Sequence, residues 1–258
     1  MPPLKALSHR KWSVRRWVGF YAYKLIKQIL KYKPDSLGIQ EGDYGWMNEH
    51  DGLPALLEGY SYVGVGRDDG KTLGEYAAIF YLKEKYDIID SGTFWISETP
   101  DTPSMGWDAV ANRICTWAIL KNKENGEVYT HFNTHLDHVG KQARTEGVKL
   151  LIDKISKCQT PFVLTGDFNF MKDSKDYKTI IESDLLLDSK LVAEDTMSHG
   201  TINWFLPFNF KYLKPIDFCF VSKDHIKVYK YRVDNSYWAD GHPVSDHYPI
   251  IVDFELIK

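Results

Sequence analysis

Cysteine is scarce. Cys115, Cys158 and Cys219 are far apart in a chain of 258 residues, and three thiols give no basis for a disulfide framework. A chain of this length buries about three quarters of its unfolded surface, so it needs neither disulfides nor a structural metal for stability. No run of about 18 apolar residues occurs, which excludes a membrane-spanning helix. Gly-x-Ser-x-Gly, Walker-type and Cys-x-x-Cys patterns are absent too, so serine hydrolase, phosphate-loop and zinc-finger chemistry lack a sequence basis. Val63-Gly64-Val65-Gly66-Arg67 comes nearest to a phosphate loop, but it has no third glycine and no following helix.

Acidic residues are missing from the first 34 positions. That stretch holds nine basic residues: Lys5, Arg10, Lys11, Arg15, Arg16, Lys24, Lys27, Lys31 and Lys33. The remainder carries 23 basic against 35 acidic residues, a balance of −12, so the net −3 of the whole chain hides a basic head on an acidic body. Such a body disfavours long non-specific DNA engagement, whose affinity comes largely from phosphate neutralisation. The head reads as a solvated helix face; an organelle presequence or an anion-binding rim are the other readings.

No repeat, low-complexity tract or Gly/Ser-rich linker divides the chain, so a single domain over 1–258 is expected. Trp17, Tyr21, Leu25, Ile29 and Tyr32 recur at helical spacing, and Pro34 stops that helix. Further helices are expected over 140–157 and 175–183. Apolar, β-branched runs mark strands at 37–40, 60–65, 77–81, 114–120, 128–134, 162–165, 218–221 and 250–254. Helices interspersed among many strands, some hairpin-like, imply an α/β protein with mixed sheets and helices packed outside.

Ionisable residues gather at the strand ends, where a layered scaffold presents its chemistry. In Leu164-Thr165-Gly166-Asp167-Phe168-Asn169 an acid and an amide two residues apart share a direction if the chain stays extended. They suit a divalent metal, an attacking water and a phosphate oxygen; a turn with both bonding backbone amides is the rival reading. Phe132-Asn133-Thr134-His135-Leu136-Asp137-His138 ends another strand. An extended chain there puts His135 and Asp137 on one side and His138 on the other. In Gly241-His242-Pro243-Val244-Ser245-Asp246-His247-Tyr248-Pro249-Ile250, two prolines stiffen the backbone around an adjacent acid and imidazole. Its rival is a rigid loop before a last strand.

Taken together, IQE (39–41), GEYAAIFY (74–81), NTHLDH (133–138), LTGDFN (164–169), PIDFCFVS (215–222) and SDHYPI (245–250) occur in that order. The set resembles the endonuclease/exonuclease/phosphatase superfamily from about Trp12 to Phe254. GTFWISETPD (92–101), GWDA (106–109) and NRICTWA (112–118) look like a largely bacterial or fungal subgroup of it. The resemblance implies a four-layer α/β/β/α sandwich of two mixed sheets flanked by helices. It implies that Glu41 and Asp246 bind a metal, that Glu75 orients His135 on the scissile phosphate, and that Arg113 lies on the phosphate side. It implies that Asp167 and Asn169 position water and phosphate, and that Asp217 orients His247.

One departure stands out. Members of the superfamily usually begin with a strand carrying Phe-Asn-Ile-Arg, whose asparagine helps bind the metal. Here the chain reaches the Trp12/Arg15 region without it, and no Asn precedes Asn48. The expectation is a single domain lacking that first strand.

The expected activity is magnesium- or manganese-dependent hydrolysis of a phosphodiester, or a phosphomonoester, by in-line attack of water. The alternatives are a catalytically impaired binding protein on the same fold and a nuclease acting on nucleic-acid ends. Small, lipid-linked or nucleic-acid-end phosphoesters are the expected substrates, for a cytoplasmic monomer. Trp95, Trp107, Trp204 and Trp238 fall in expected loops and either stack a base or sugar or pack the loops themselves.

Overall fold

The computed structural model describes residues 11–48, 50–206, 214–238 and 241–257, with side chains in the first helix from residue 22 onward. That helix is α1 (Lys11–Tyr32), though Tyr32, expected on its apolar stripe, is exposed. Ile29 is buried and Leu25 packs beside it on the cluster around Leu53, Tyr76 and Phe80. The side chains of Trp17, Tyr21, Lys11, Arg15 and Arg16, and all of Lys5 and Arg10, lie outside the described residues. The rest of the basic head is not a uniform solvated face. Lys24 is buried with its ammonium 5.6 Å from the Trp238 ring, and Lys31 donates to Asp234 at 3.2 Å, whereas Lys27 and Lys33 are exposed.

After α1 the chain forms β1 (Ser36–Gly38), α2 (Tyr44–Met47), α3 (Leu53–Leu56), β2 (Tyr60–Val63) and β3 (Ile79–Leu82). These strands make a sheet of order β1-β3-β2. Then come β4 (Tyr86–Trp95), β5 (Ile114–Asn122), β6 (Val128–His135), α4 (Lys141–Ser156), β7 (Phe162–Asp167), α5 (Lys175–Glu182), β8 (Leu186–Asp188), α6 (Ser189–Val192), β9 (Asp195–Thr196), β10 (Asp217–Ser222), β11 (Ile226–Val233) and β12 (Ile250–Leu256). A six-stranded sheet of order β4-β5-β6-β7-β10-β8 and a smaller one of order β12-β11-β9 complete the set. Only β6 and β7 run parallel in the large sheet, and α4 supplies the crossover that parallel neighbours require.

Alternation along the central strands builds the layers. Phe162 and Leu164 of β7, with Phe218 and Phe220 of β10, point to the face covered by α4 and α5. Val163, Cys219 and Val221 point the other way, onto Ile79, Val228 and residues of β12. Strands apolar on both faces are what a sheet buried between two layers demands. The fold is therefore the expected α/β sandwich with helices outside.

The second layer differs from a single continuous sheet. It consists of two three-stranded pieces, and among the described residues β1 pairs only with β3 and β12 only with β11. Between their free edges a cavity of about 880 Å³ runs from Glu41, Asp167, Asp246 and His247 at one end to Asp35 and Lys85 at the other. β1 leads toward Glu41 and β12 leads away from His247, so the two edges run in opposite directions.

Close approach between layers fixes two glycines beside the site. A Cβ on Gly38 would lie 2.4 Å from both Asn133 Oδ1 and Thr165 Oγ1. One on Gly166 would lie 2.2 Å from the Thr134 carbonyl oxygen, because β6 and β7 are hydrogen-bonded neighbours there.

Candidate active site

The sandwich brings several strand ends together at one edge. Asp167 ends β7 and Asp217 begins β10, and the two are direct antiparallel partners. His135 ends β6, in register with Asp167. His247 arrives from the loop before β12, anchored by a bridge to Ile202. Three adjacent strand ends and one loop thus deliver four ionisable side chains without any unusual local sequence.

Asp167, Asp217 and His247 form a cluster whose ligating atoms all lie within 4.8 Å of one another. Asp217 grips the imidazole: its two carboxylate oxygens lie 3.0 and 2.9 Å from His247 Nδ1. Burial alone would lower the His247 pKa, but the hydrogen bond and charge of Asp217, with Asp167 and Asp246 nearby, raise it to about 9. Asp167 shifts upward as well, chiefly through burial and then through the charge of Asp217. Its Oδ2 lies 3.6 Å from His135 Nε2.

Asp167 and Asn169 do not lie along an extended chain. The strand stops at Asp167, Asn169 takes φ 51°, and its N–H donates to Asp167 Oδ1 at 2.8 Å. That is the backbone turn weighed as the rival reading, and it coexists with the cluster. The Asn169 amide also donates to the Leu136 carbonyl at 2.9 Å, which locks it between β6 and β7.

Glu41 sits in the loop after β1 at φ 57°, an uncommon conformation for a residue with a side chain. Burial raises its pKa, with the charges of Glu75 and Asp246 adding to the shift and His247 and Arg113 opposing it. Five groups of the expected site therefore share one electrostatic neighbourhood. No direct contact joins Glu41 to Asp246 among the described residues.

Glu75 belongs to this neighbourhood but is not bonded to His135. Its carboxylate accepts from Arg67 Nη1 at 2.5 Å, and His135 Nδ1 is buried without a hydrogen-bond partner. His135 is held well below its usual pKa by burial first and then by Arg113, Arg67, His247 and His138. Arg113, only 4% exposed, donates from Nε to Asp137 at 3.2 Å and lies 2.9 Å from His138 Nδ1 through Nη2. Its Nη1 is buried and unpartnered. Asp137 and His138 thus meet on one guanidinium, and the chain after β6 bends rather than alternating sides. Burial works to raise Asp137, yet the amides of Gly140, Val139 and Val110, with Arg113, hold it down at about 2.

Glu41, Asp167, Asp217, Asp246 and His247 line one cavity, and the charges of Arg113 and Arg67 act on the neighbouring His135. Three residues that support the site stand outside the expected set. Arg67 closes the Val63–Arg67 stretch set aside as a phosphate loop. Fully buried Asn133 donates to the carbonyls of Ile39 and Ala78 and accepts from Gln40 and Thr165, stitching the two sheets beneath Glu41. His131 lies 2.9 Å from Ser36 Oγ and 2.8 Å from Thr165 Oγ1. Its signal was only a polar residue inside an apolar strand.

Residues 18–247 match the Endonuclease/Exonuclease/phosphatase family. The chain belongs to that family, whose members are hydrolases acting on phosphoester bonds. Among solved structures it is similar to a family protein from Bacteroides vulgatus, with 36% identity, a TM-score of 0.85, and 95% of this chain and 93% of that one covered. A mannosyl-6-phosphatase of Bacteroides thetaiotaomicron superposes at a TM-score of 0.83 with 36% identity, covering 94% of both chains. Human Nocturnin is 24% identical over 291 residues, which cover 99% of this chain and 60% of that protein. The chain spans between 41% and 63% of the length of the curated relatives it matches first. Among the described residues no helix is long and apolar enough to cross a membrane.

Proposed function

We propose that the protein hydrolyses a phosphoester by attack of water, with a divalent cation held by Glu41 and Asp246 beside the Asp167–Asp217–His247 cluster. The observation that carries this reading is that cluster, three ligating groups within 4.8 Å, with His135 beside Asp167 and the buried, unpartnered Arg113 Nη1 on a guanidinium whose charge reaches His135.

The donor set fits a hard cation such as magnesium or manganese: carboxylate oxygens and one imidazole, without thiolates. Crowding also argues for it, because Glu41 and Asp167 are both pushed toward neutrality by burial and neighbouring acids. When bound, such a cation neutralises the charge that develops on phosphate oxygens. Asp167 takes a proton from the attacking water. The bond from that oxygen to phosphorus forms as the bond to the alcohol oxygen breaks, and the leaving alcohol takes a proton. His247, protonated at neutral pH through its bond to Asp217, donates to a phosphoryl oxygen or to the leaving group. Arg113 and His135 receive the remaining phosphate oxygens, with Asn169 beside them.

A small phosphomonoester suits Arg113 and Arg67 best, since a dianion gains from two guanidiniums where a diester carries one charge. The likeness to a mannosyl-6-phosphatase supports the same substrate class. A second reading has its own observation: among the described residues β1 and β12 are each paired on one side only, which fits a weakened scaffold that binds phosphoesters without turning them over.

One experiment separates them. Turnover of p-nitrophenyl phosphate and bis-p-nitrophenyl phosphate is measured for the wild type, Asp167→Ala and His247→Ala. Losses of about two to four powers of ten in both variants, with the fold intact by circular dichroism, are expected. Unchanged rates in both sink the assignment, and a wild type that binds phosphate but turns over neither ester favours the second reading.

A further inference from the structure

Of the four tryptophans expected in loops, three are occupied, and Trp95 lies in a strand instead. Trp95 ends β4, is 6% exposed and donates to the Arg67 carbonyl at 2.6 Å. Trp107 packs against the helix-covered core, and Trp238 lies beneath Lys24. Trp204 is different: it is 64% exposed, and its neighbour Phe205 is 51% exposed.

Both sit at positive φ, 55° and 54°. Two consecutive bulky residues in the left-handed region are a backbone outlier that surrounding contacts must enforce. The enforcing residue is Asn203, 1% exposed. Its amide donates to the Ser245 carbonyl at 2.9 Å, and its side-chain oxygen accepts from the Phe205 N–H at 2.8 Å. The backbone N–H groups of Asn203 and Trp204 both donate to the Asp246 carbonyl, at 2.6 and 3.3 Å. The aromatic pair is therefore strapped to the backbone of Asp246-His247. Phe205 lines the same cavity as Asp167, Asp217, Asp246 and His247.

We infer that Trp204 and Phe205 form a stacking platform for the alcohol portion of the substrate, which bears a flat ring. This rests on the phosphoester reading and narrows it. Apolar aromatic faces left in water beside a charged site gain by covering themselves with a ring, either the C–H face of a sugar or the face of a nucleobase. The strained, pre-set backbone spares the ordering that a mobile loop would need on binding. Open-chain phosphoesters gain nothing from it, so the platform selects ring-bearing substrates.

The test compares wild type, Trp204→Ala and Trp204→Phe on mannose 6-phosphate, adenosine 5′-monophosphate and glycerol 3-phosphate. Trp204→Ala should lose about tenfold in kcat/KM, through KM, on a ring-bearing ester. Trp204→Phe should retain activity within about threefold, since it keeps a ring face. Glycerol 3-phosphate turnover by Trp204→Ala should stay within about twofold of wild type. A loss confined to mannose 6-phosphate identifies the sugar, and one confined to the nucleotide identifies the base. An equal loss on all three esters, or none on any, overturns the platform while leaving the phosphoesterase reading standing. A wild type that hydrolyses none of the three overturns both.

Discussion

Asp217 and His247 share a hydrogen bond of 2.9 Å between a β10 carboxylate and an imidazole from the loop before β12. The two lie 30 positions apart in sequence, and the acid fixes both the orientation and the charge of the ring. In metal-free protein, the His247 imidazole should titrate near 9 by NMR. Asp217→Asn should return it toward the ordinary histidine range, because burial then acts with less opposition. An unmoved titration would mean that Asp217 does not hold this ring.

The Arg113–Asp137 pair, 4% and 0% exposed in its side chains, is the most deeply buried ion pair among the described residues. Removing one partner strands a charge in a low-dielectric interior. Asp137→Ala should cost about 3–5 kcal/mol of stability, read from urea midpoints. Asp137→Asn, which keeps the shape and part of the hydrogen bonding, should cost less. Equal stability of all three proteins would contradict the assigned pairing.

His131 is buried neutral between two hydroxyls, and burial lowers its pKa to about 3. The unfolded chain binds a proton there near 6.5, so the unfolded state takes up more protons between those values. Its contribution is fully present above pH 6.5 and falls as pH drops toward 3, by about 1.4 kcal/mol per unit. His131→Gln, which does not titrate, should flatten the stability–pH curve in that window. A curve of unchanged slope would show that His131 is not the group responsible.

β7 is paired on both sides, by β6 and β10, whereas β12 is paired by β11 alone among the described residues. Hydrogen exchange should therefore be much faster over residues 250–256 than over residues 162–167. Equal protection of the two segments would show that the slot beside β12 is filled in solution.

Periodicity made much of this architecture legible. Trp17-to-Tyr32 spacing marked α1, and the apolar runs marked β5, β6, β7, β10 and β12 within a few residues. Four strands escaped: the short β8 and β9, and the longer β4 and β11. β4 contains Asp87, Asp90 and Gly92 and lies at the edge of its sheet, where one side faces water and polar residues are tolerated. β11, Ile226–Val233, alternates apolar residues with Lys227, Lys230 and Arg232, a half-buried pattern easily taken for a charged loop. Carboxylates and imidazoles at strand ends announced the site, because such residues are costly to bury without a purpose. Their partners did not announce themselves. Glu75 meets Arg67 across a tight loop, and Asp137 and His138 converge on Arg113 because the chain bends after β6. Side-chain direction beyond a strand end depends on turns that spacing alone does not encode. The same holds for Trp204, distinguished from three other tryptophans only by exposure.

The central claim is cation-assisted phosphoester hydrolysis at the Asp167–Asp217–His247 cluster. It is tested most directly by phosphate release from mannose 6-phosphate by EDTA-stripped protein, before and after manganese or magnesium is restored, in wild type and Asp167→Asn. Release that is absent in EDTA, returns with the cation, and stays at least about a hundredfold lower in Asp167→Asn is the predicted result. Release that persists in EDTA, or that Asp167→Asn supports as well as wild type, would contradict it.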